Sequence, residues 1–313
     1  MKRRRWLAMF LILAVAAGAW FWQRQPVAIP KASGDETAAK TNTAETGSPG
    51  PQKRRHALPP MPPRSRDFAR ALPDLKARAD AGDRKAACRL ASGLLRCQHG
   101  SAIWGGANVA ELERQSEAKG QLAVANYFAE EQTWLLELAR ECRDVPADVR
   151  SQGARYLRQA ALAGDPAAML AYGSGQHFNP NGRGIAVGPA FDTWRREAPA
   201  MLQRALLAGH PAAATALSMA YMDDMGIPNA FVANDAYQGA VYHILSAKLF
   251  GTREYPGWLG SLDASELERA RREATRLHDE VFAGNQYDRK FYTVFAPYYR
   301  RNADAPATCE TPK

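Results

Sequence analysis

Four cysteines, Cys88, Cys97, Cys142 and Cys309, are the residues of this chain with the most evident chemistry. A cysteine can act as a nucleophile, ligate a metal or form a disulfide. No two of them make a C-x-x-C pair, and the six histidines show neither an H-E-x-x-H pattern nor a closely spaced pair. Because this spacing offers zinc no tetrahedral ligand set, we expect disulfides, no metal and no cofactor.

The predicted helices exclude some of the possible disulfide pairings. Cys88 and Cys97 are nine residues apart on one expected helix, which places them on opposite faces and roughly 13 Å apart, too far to bridge. Cys142 ends an inserted helical stretch, and an up-and-down path returns that end toward Cys97. We therefore predict a Cys97–Cys142 disulfide, with Cys88–Cys142 as the alternative and Cys309 as a free thiol.

Two further groups have the residue types of a catalytic site. Ser116 and Lys119 match the S-x-x-K spacing of acylating serine enzymes, but no S-D-N or K-T-G partner follows, and we expect them on a solvated helix face. Asp223 and Asp224 offer two carboxylates beside Tyr221, although aspartates at such a place more often end a helix. This chemistry favours a binding protein over an enzyme.

A repeated phrase indicates which elements position these residues. Residues 157–168 read LRQAALAGDPAA, residues 202–213 read LQRALLAGHPAA, and a weaker copy at 75–86 reads LKARADAGDRKA. Glycine after a last helical turn adopts the left-handed conformation that ends a helix, and the following Asp or Pro suits the start of another. The sequence therefore predicts an all-α fold of helix, tight turn, helix units that pack closely through small residues.

From residue 202 the third copy runs on to LSMAYMDDMGIP, over residues 217–228, and here the chain resembles the Sel-one-like branch of tetratricopeptide-type repeats. Units of that family read A-G-H-x-x-A-x-x-x-L-G-x-x-Y, followed by G-x-G-V-P. The matching residues are Gly209, His210, Ala213, Leu217, Tyr221, Gly226, Ile227 and Pro228. Ser218 and Asp224 depart from the family glycines. The resemblance implies a right-handed solenoid of antiparallel helix pairs over residues 66–302, which presents a surface for a protein partner.

Irregular spacing between the copies indicates insertions. The turn glycines are 82 and 45 residues apart, against a family period in the middle thirties. One insertion is a predicted helical stretch over 109–142, with a bend at Gly120, and another is the loop over 173–189. Long loops often carry function. We draw the predicted binding residues from this loop and from the inter-repeat turn: His177, Asn179, Arg183, Tyr221, Asp223 and Asp224.

The N-terminus predicts export to the cell envelope. Basic residues at positions 2–5 precede an uncharged apolar run over 6–22, which as a helix would span roughly 26 Å of a hydrocarbon core about 30 Å thick. We predict a single-pass signal anchor over residues 1–22 in the inner membrane, with the basic end in the cytoplasm and the rest in the periplasm. Cleavage after the small residues 17–19 is the alternative.

The excess positive charge lies in the tail and not in the folded region. Residues 1–66 carry twelve Lys and Arg against three Asp and Glu, which leaves 29 of each for residues 67–313. A folded region without net charge has no general attraction for phosphates, so no nucleic acid is expected as a partner. Residues 23–65 are predicted to be a disordered Pro/Ala/Thr-rich linker and residues 303–313 a flexible tail.

These features predict a membrane-anchored periplasmic helical-repeat protein that acts as a scaffold or adaptor for another envelope protein, with peptidoglycan as a further possible ligand. The alternative is a cell-wall-directed enzyme or penicillin-binding protein that uses Ser116 and Lys119 or the Asp223–Asp224 pair. A third class is a structural spacer with no dedicated partner, for which only the anchor and overall stability matter.

Overall fold

Every regular element in the described part of the chain is an α-helix, which confirms the predicted all-α class. The computed structural model describes residues 60–62, 68–99, 108–178, 188–222, 232, 234–289 and 309, all within one unit that spans 57–313. None of the helices within those ranges combines the length and apolar character needed to cross a bilayer. The predicted signal anchor, residues 1–22, lies outside the described residues.

Most of the helices are short and follow one another through tight turns. In chain order they are α1 (Phe68–Asp80), α2 (Arg84–His99), α3 (Val109–Ala118), α4 (Leu122–Cys142), α5 (Ala147–Arg150), α6 (Gly153–Leu162), α7 (Pro166–Gly173), α8 (Pro189–Leu207), α9 (Ala212–Tyr221), α10 (Ala236–Phe250), α11 (Pro256–Leu259) and α12 (Ala264–Phe282).

The repeated phrase forms the same turn three times, as predicted. Gly82, Gly164 and Gly209 have φ angles of 92°, 84° and 79°, a left-handed conformation that only glycine adopts without strain. Each glycine N–H donates to the carbonyl three residues back, and the next N–H donates five residues back, which satisfies the last carbonyls of the helix. Asp83 then caps the next helix by accepting hydrogen bonds from the backbone N–H groups of Lys85 and Ala86. Asp165 caps its helix by accepting one from the N–H of Ala168.

Helices that are consecutive in this repeated pattern pack on one another. In order, α1 packs on α2, α2 on α6, α6 on α7, α7 on α8, α8 on α9, α9 on α10, and α10 on α12. One hydrophobic core runs through these contacts from Phe68 to Phe282. The last helix, α12, begins with the predicted capping box of Asp263 and Glu266.

Two glycines set how closely these helices approach. A Cβ atom at Gly153 of α6 would lie 2.7 Å from Leu95 Cγ, and one at Gly173 of α7 would lie 2.7 Å from Leu202 Cγ. Carbon atoms in proteins pack at about 3.5 to 4.0 Å. Glycine at these two positions therefore permits the α2–α6 and α7–α8 contacts.

The insertion between α2 and α6 is a helical hairpin, so the prediction of one helical stretch with a bend is wrong. Gly120 has φ of 69°, and its N–H and that of Gln121 donate three and five residues back, as in the repeat turns. Because this bonding ends a helix, the chain reverses and α3 packs on α4.

Two disulfides meet on α2. Cys97 pairs with Cys142 of α4 at a Cα–Cα distance of 5.4 Å, which confirms the preferred pairing. Cys88 pairs with Cys309 at 5.7 Å, so the predictions of a free Cys309 and of a Cys88–Cys142 alternative are wrong. Cys88 is fully buried, and the tail returns to it over a sequence separation of 221 residues, which no local pattern indicates.

The segment predicted to be a linker contacts the folded unit at its C-terminal end. Arg78 donates to the carbonyl of Pro60 at 3.3 Å, and Arg89 donates to that of Pro62. Met61 packs against the core. Residues 60–62 therefore lie on the α1–α2 pair, inside the range 23–65.

Candidate functional site

An aromatic cluster fills the corner between α7 and α8. Trp194 is completely buried, and its indole N–H donates to the carbonyl of Tyr172 at 2.7 Å. The rings of Phe178 and Phe191 lie 5.2 and 5.3 Å from Trp194. Phe191 and Trp194 are three residues apart on α8 and so point to one side of the helix. The cluster fixes the point at which the 173–189 loop leaves the core.

His177, a predicted binding residue, extends this cluster to the surface. Its imidazole stacks on the ring of Tyr172, with centroids 4.8 Å apart and planes at 8°, and it lies 4.1 Å from the ring of Phe178. The side chain is half-buried. His177 therefore presents one edge of an aromatic stack at the start of the loop.

A charged pair lies beside this stack. Glu197 accepts hydrogen bonds from Arg158 Nε and from the Tyr172 hydroxyl, both at 2.8 Å. Arg158 holds the pKa of the Glu197 carboxyl below its usual range, while burial and the bond to Glu197 raise the pKa of the Tyr172 phenol. At neutral pH the site therefore holds an ionised carboxylate between a guanidinium and a neutral hydroxyl.

An equivalent contact recurs one repeat later. Gln203 of α8 donates to the hydroxyl of Tyr242 of α10 at 2.9 Å. Arg158 precedes Gly164 by six residues and Gln203 precedes Gly209 by six, and each contacts a residue 39 positions further on. The two bridges thus hold corresponding places in the repeat.

Two further hydrogen bonds join α6 to α1, at the N-terminal end of this set of helices. Tyr156 of α6 donates to Asp80 of α1 at 2.9 Å, and Gln159 donates to the carbonyl of Ala79 at 2.6 Å. Polar side chains therefore link α1, α6, α8 and α10 in turn. We call this set the polar row: Asp80, Tyr156, Arg158, Gln159, Glu197, Gln203 and Tyr242.

Only part of the predicted binding set can be located. His177 and Tyr221 are described, whereas Asn179, Arg183, Asp223 and Asp224 lie outside the described residues. The Tyr221 ring stacks on that of Tyr242, with centroids 5.8 Å apart, so it joins the polar row at α10 and not the aromatic cluster around Trp194.

The polar row itself was missed by reasoning from sequence. Its members are residue types that are common at protein surfaces, so only their positions in the repeat could have indicated them. Arg158 and Gln203 stand at one fixed distance before the repeat glycines, where polar residues recur in both copies. An alignment of the copies by their turns would have singled out this position, but not the partners on the next helix.

The S-x-x-K residues do not form a catalytic pair in this structure. Ser116 is buried, and its hydroxyl donates to the carbonyl of Leu112 at 2.8 Å, while Lys119 is exposed beyond the end of α3. The predicted solvated face is therefore wrong for Ser116 and correct for Lys119. In the ranges described, no three His, Cys, Asp or Glu residues gather as a metal-binding group.

Comparison with known proteins assigns no family to this site. No family model, no curated protein and no solved structure matches the chain.

Proposed function

We propose that the protein is a scaffold or adaptor of the cell envelope, anchored in the inner membrane by residues 1–22 and built as a right-handed solenoid of Sel-one-like repeats in the periplasm. The polar row and the adjoining His177 stack serve as its binding surface for another envelope protein. No catalytic step is part of this proposal.

The observation that carries the proposal is the recurrence of one unit with the same internal contacts. Three turns share one hydrogen-bonding pattern. Two side-chain hydrogen bonds, each between residues 39 positions apart, join corresponding helices. Units that contact mainly their neighbours stack into elongated surfaces, and proteins of this architecture commonly bind other proteins along them.

The cysteines support an extracytoplasmic location. All four are paired, and structural disulfides persist in oxidising compartments such as the periplasm and are rare in the cytosol. This agrees with the basic and apolar segment at residues 2–22.

The composition of the polar row supports a protein partner. Arg158 and Glu197 have 43% and 23% of their side-chain surface exposed, beside the partly exposed rings of Tyr221 and His177. Tyrosine and arginine are enriched at protein interfaces because they combine apolar area with hydrogen-bonding groups. The buried hydroxyl of Ser116 gives the alternative of an acylating cell-wall enzyme no comparable support.

The proposal is tested by crosslinking the tagged full-length protein in cells of its native host, followed by mass spectrometry. We expect one stoichiometric envelope protein. The charge-swap variant Arg158→Glu with Glu197→Arg keeps an ion pair but reverses its polarity, so it should lose that partner without unfolding.

A matched control is available on α12. Glu273 and Arg276 form another exposed ion pair, and swapping their charges should leave the partner attached. Absence of any stoichiometric protein would contradict the adaptor function, whereas a partner that both swaps retain would place the binding surface elsewhere.

A further inference from the structure

One face of α4 is apolar except at Glu131, and its N-terminal half is more exposed than its C-terminal half. In its C-terminal half, Trp134, Leu138 and Cys142 are buried where α4 packs on α1 and α2. In its N-terminal half, Val124 and Tyr127 are each 42% exposed. Their spacing places both halves on one side of the helix. We call this side the α4 face: Val124, Tyr127, Phe128, Glu131, Trp134, Leu135, Leu138 and Cys142.

At the covered end, the α4 face borders a cavity of about 360 Å³. It is lined by Leu135, Leu138 and the Cys97–Cys142 disulfide, together with Arg143 and Arg150. Arg150 is fixed by bonds to the carbonyls of Cys142 and Val145, at 2.9 and 2.7 Å. An open recess of this size, with Leu135 and Leu138 in its wall, accepts one large apolar side chain from a bound segment.

The hairpin that carries this face is acidic. Residues 108–142 contain seven glutamates against three Lys and Arg, whereas residues 67–313 contain 29 of each charge. Two such hairpins brought together would repel each other, while a basic segment is attracted. Along the hairpin, away from Arg143 and Arg150 at the cavity, charge therefore favours a basic partner over a second copy of this chain.

A carboxylate on the face itself points to the same partner. Glu131 is only 8% exposed, and its Oε2 has no hydrogen-bond partner within the described part of the chain. A buried carboxylate oxygen without a donor destabilises the folded state. A Lys or Arg placed over the face would supply that donor after a change of the Glu131 rotamer.

We propose that the α4 face binds an amphipathic helix of a partner protein, with its apolar side on Val124, Tyr127 and the cavity, and Lys or Arg residues on its flanks. The distance from Val124 to Cys142 is about 27 Å along the axis, which matches a partner helix of about 18 residues. Recognition is of the helix-in-groove type. This surface shares no residue with the polar row, so it goes beyond the proposed function.

The first test places a photocrosslinking phenylalanine derivative at Tyr127 in the full-length protein in its native host. The control places it at Leu136, which is 61% exposed on the same helix but on the opposite side. We expect crosslinks from Tyr127 only, to a peptide of another protein with apolar residues at helical spacing and net positive charge.

Three crosslinking results would overturn the proposal: equal capture from both positions, capture of another copy of this chain or of its own basic segment, or capture of a peptide without that pattern. The result is independent of the polar row. A partner that requires Arg158 and Glu197 but leaves Tyr127 without crosslinks would retain the adaptor function and reject the α4 face.

The second test measures affinity with defined probes. A labelled 18-residue helical peptide of Leu and Lys, and its Leu and Glu counterpart, are titrated into the full-length protein in phosphatidylcholine nanodiscs, with empty nanodiscs subtracted. We expect the Lys peptide to bind at least tenfold more tightly than the Glu peptide. Val124→Ser with Tyr127→Ser should reduce its affinity at least tenfold, whereas Leu136→Ser should change it less than twofold.

Glu131→Gln separates charge from apolar contact. This substitution should weaken binding of the Lys peptide several-fold and leave binding of a Leu and Gln peptide unchanged. Equal affinities for the Lys and Glu peptides, or equal effects of the serine variants at the face and at Leu136, would show that the face has no specificity for a basic amphipathic helix.

Discussion

The repeat helices and the inserted α3–α4 hairpin are held on the protein in different ways. Eight of the ten residues of α9 and eleven of the fifteen of α10 are buried, so these helices are enclosed by packing. Only five of the 21 residues of α4 are buried. Instead, α4 is joined to α2 by the Cys97–Cys142 disulfide and by an ion pair between Arg96 and Glu141.

This difference shows that the turn does not decide burial. Gly120 and Gly209 close their helices with the same hydrogen bonds, yet the first turn leads into the mostly exposed α4 and the second into the buried α9. The side chains differ: α9 reads AAATALSMAY, with small residues on all sides, whereas α4 carries larger side chains and buries few of them. Close approach of neighbouring helices on several sides requires small residues. The stability of the repeats should therefore depend on the volume of their buried side chains. That of the hairpin should depend on the Cys97–Cys142 disulfide.

The largest effect should come from removing volume in the repeats. Leu202 and Leu207 lie on the same helix, at 0% and 66% exposure. Leu202→Ala should lower the free energy of unfolding by about 2 to 5 kcal/mol, because it leaves a cavity, while Leu207→Ala should change it by less than about 0.5 kcal/mol. Urea denaturation of the full-length protein in detergent measures both, and similar losses would contradict the contrast.

Removing the hairpin disulfide should act locally. Cys97→Ala with Cys142→Ala removes a constraint of about 2 to 4 kcal/mol, so backbone amides in α4 should exchange with solvent roughly 30- to 700-fold faster. Amides of α6 to α10 should keep their protection. Cys88→Ala with Cys309→Ala is the control, since it should not change α4 selectively; uniform loss of protection in the first variant would show that the hairpin and the repeats unfold together.

Acid should destabilise the third repeat through a buried imidazole. His210 is buried and its Nδ1 has no hydrogen-bond partner in the residues described, and burial lowers its pKa from 6.5 to about 4. The unfolded chain binds a proton that the folded chain does not, so stability is full above pH 6.5 and falls as the pH drops toward 4. The loss should be about 2 kcal/mol between about pH 7 and 5.

The non-titrating variant His210→Asn isolates this contribution, because asparagine is also favoured at helix starts. Its stability should fall less over the same pH interval than that of the wild type. Parallel pH profiles would mean that His210 binds its proton equally well in the folded and the unfolded chain, so that the imidazole does not set the acid limit.

The smallest effect compares one helix cap in each region. Asp165 caps α7 by accepting from the Ala168 N–H at 2.9 Å, and Asn108 caps α3 by accepting from that of Glu111 at 3.3 Å. Asp165→Ala should lower the free energy of global unfolding by about 1 kcal/mol. Asn108→Ala should leave it unchanged and only speed amide exchange within α3, if the hairpin opens by itself.

Local sequence signals predicted much of the fold correctly. The turns at Gly82, Gly164 and Gly209, the Asp165 cap and the capping box of α12 were all predicted, because each depends on a few adjacent residues. The Cys97–Cys142 pairing was also correct, since helix geometry excluded the neighbouring cysteine. The reversal at Gly120 was missed because residues 109–142 were interpreted as one helical stretch with a bend at that glycine.

The candidate site was less predictable for the same physical reason. His177 was chosen from its loop, but the aromatic cluster beside it depends on Phe191 and Trp194, which the next helix carries. The partners of Arg158 and Gln203 stand 39 residues away, and Cys309 pairs with Cys88 across 221 residues. Such contacts are set by how helices stack and not by sequence patterns around each residue.

The sequence by itself determined the helical class, the positions of the repeat turns and the separation of a basic N-terminus from a folded region without net charge. These follow from backbone conformation, side-chain size and charge, which are properties of short segments. Only the tertiary structure decided the polar row, the second disulfide and the half-covered face of α4. Each of these depends on which helices meet, and that is determined by packing of the whole chain.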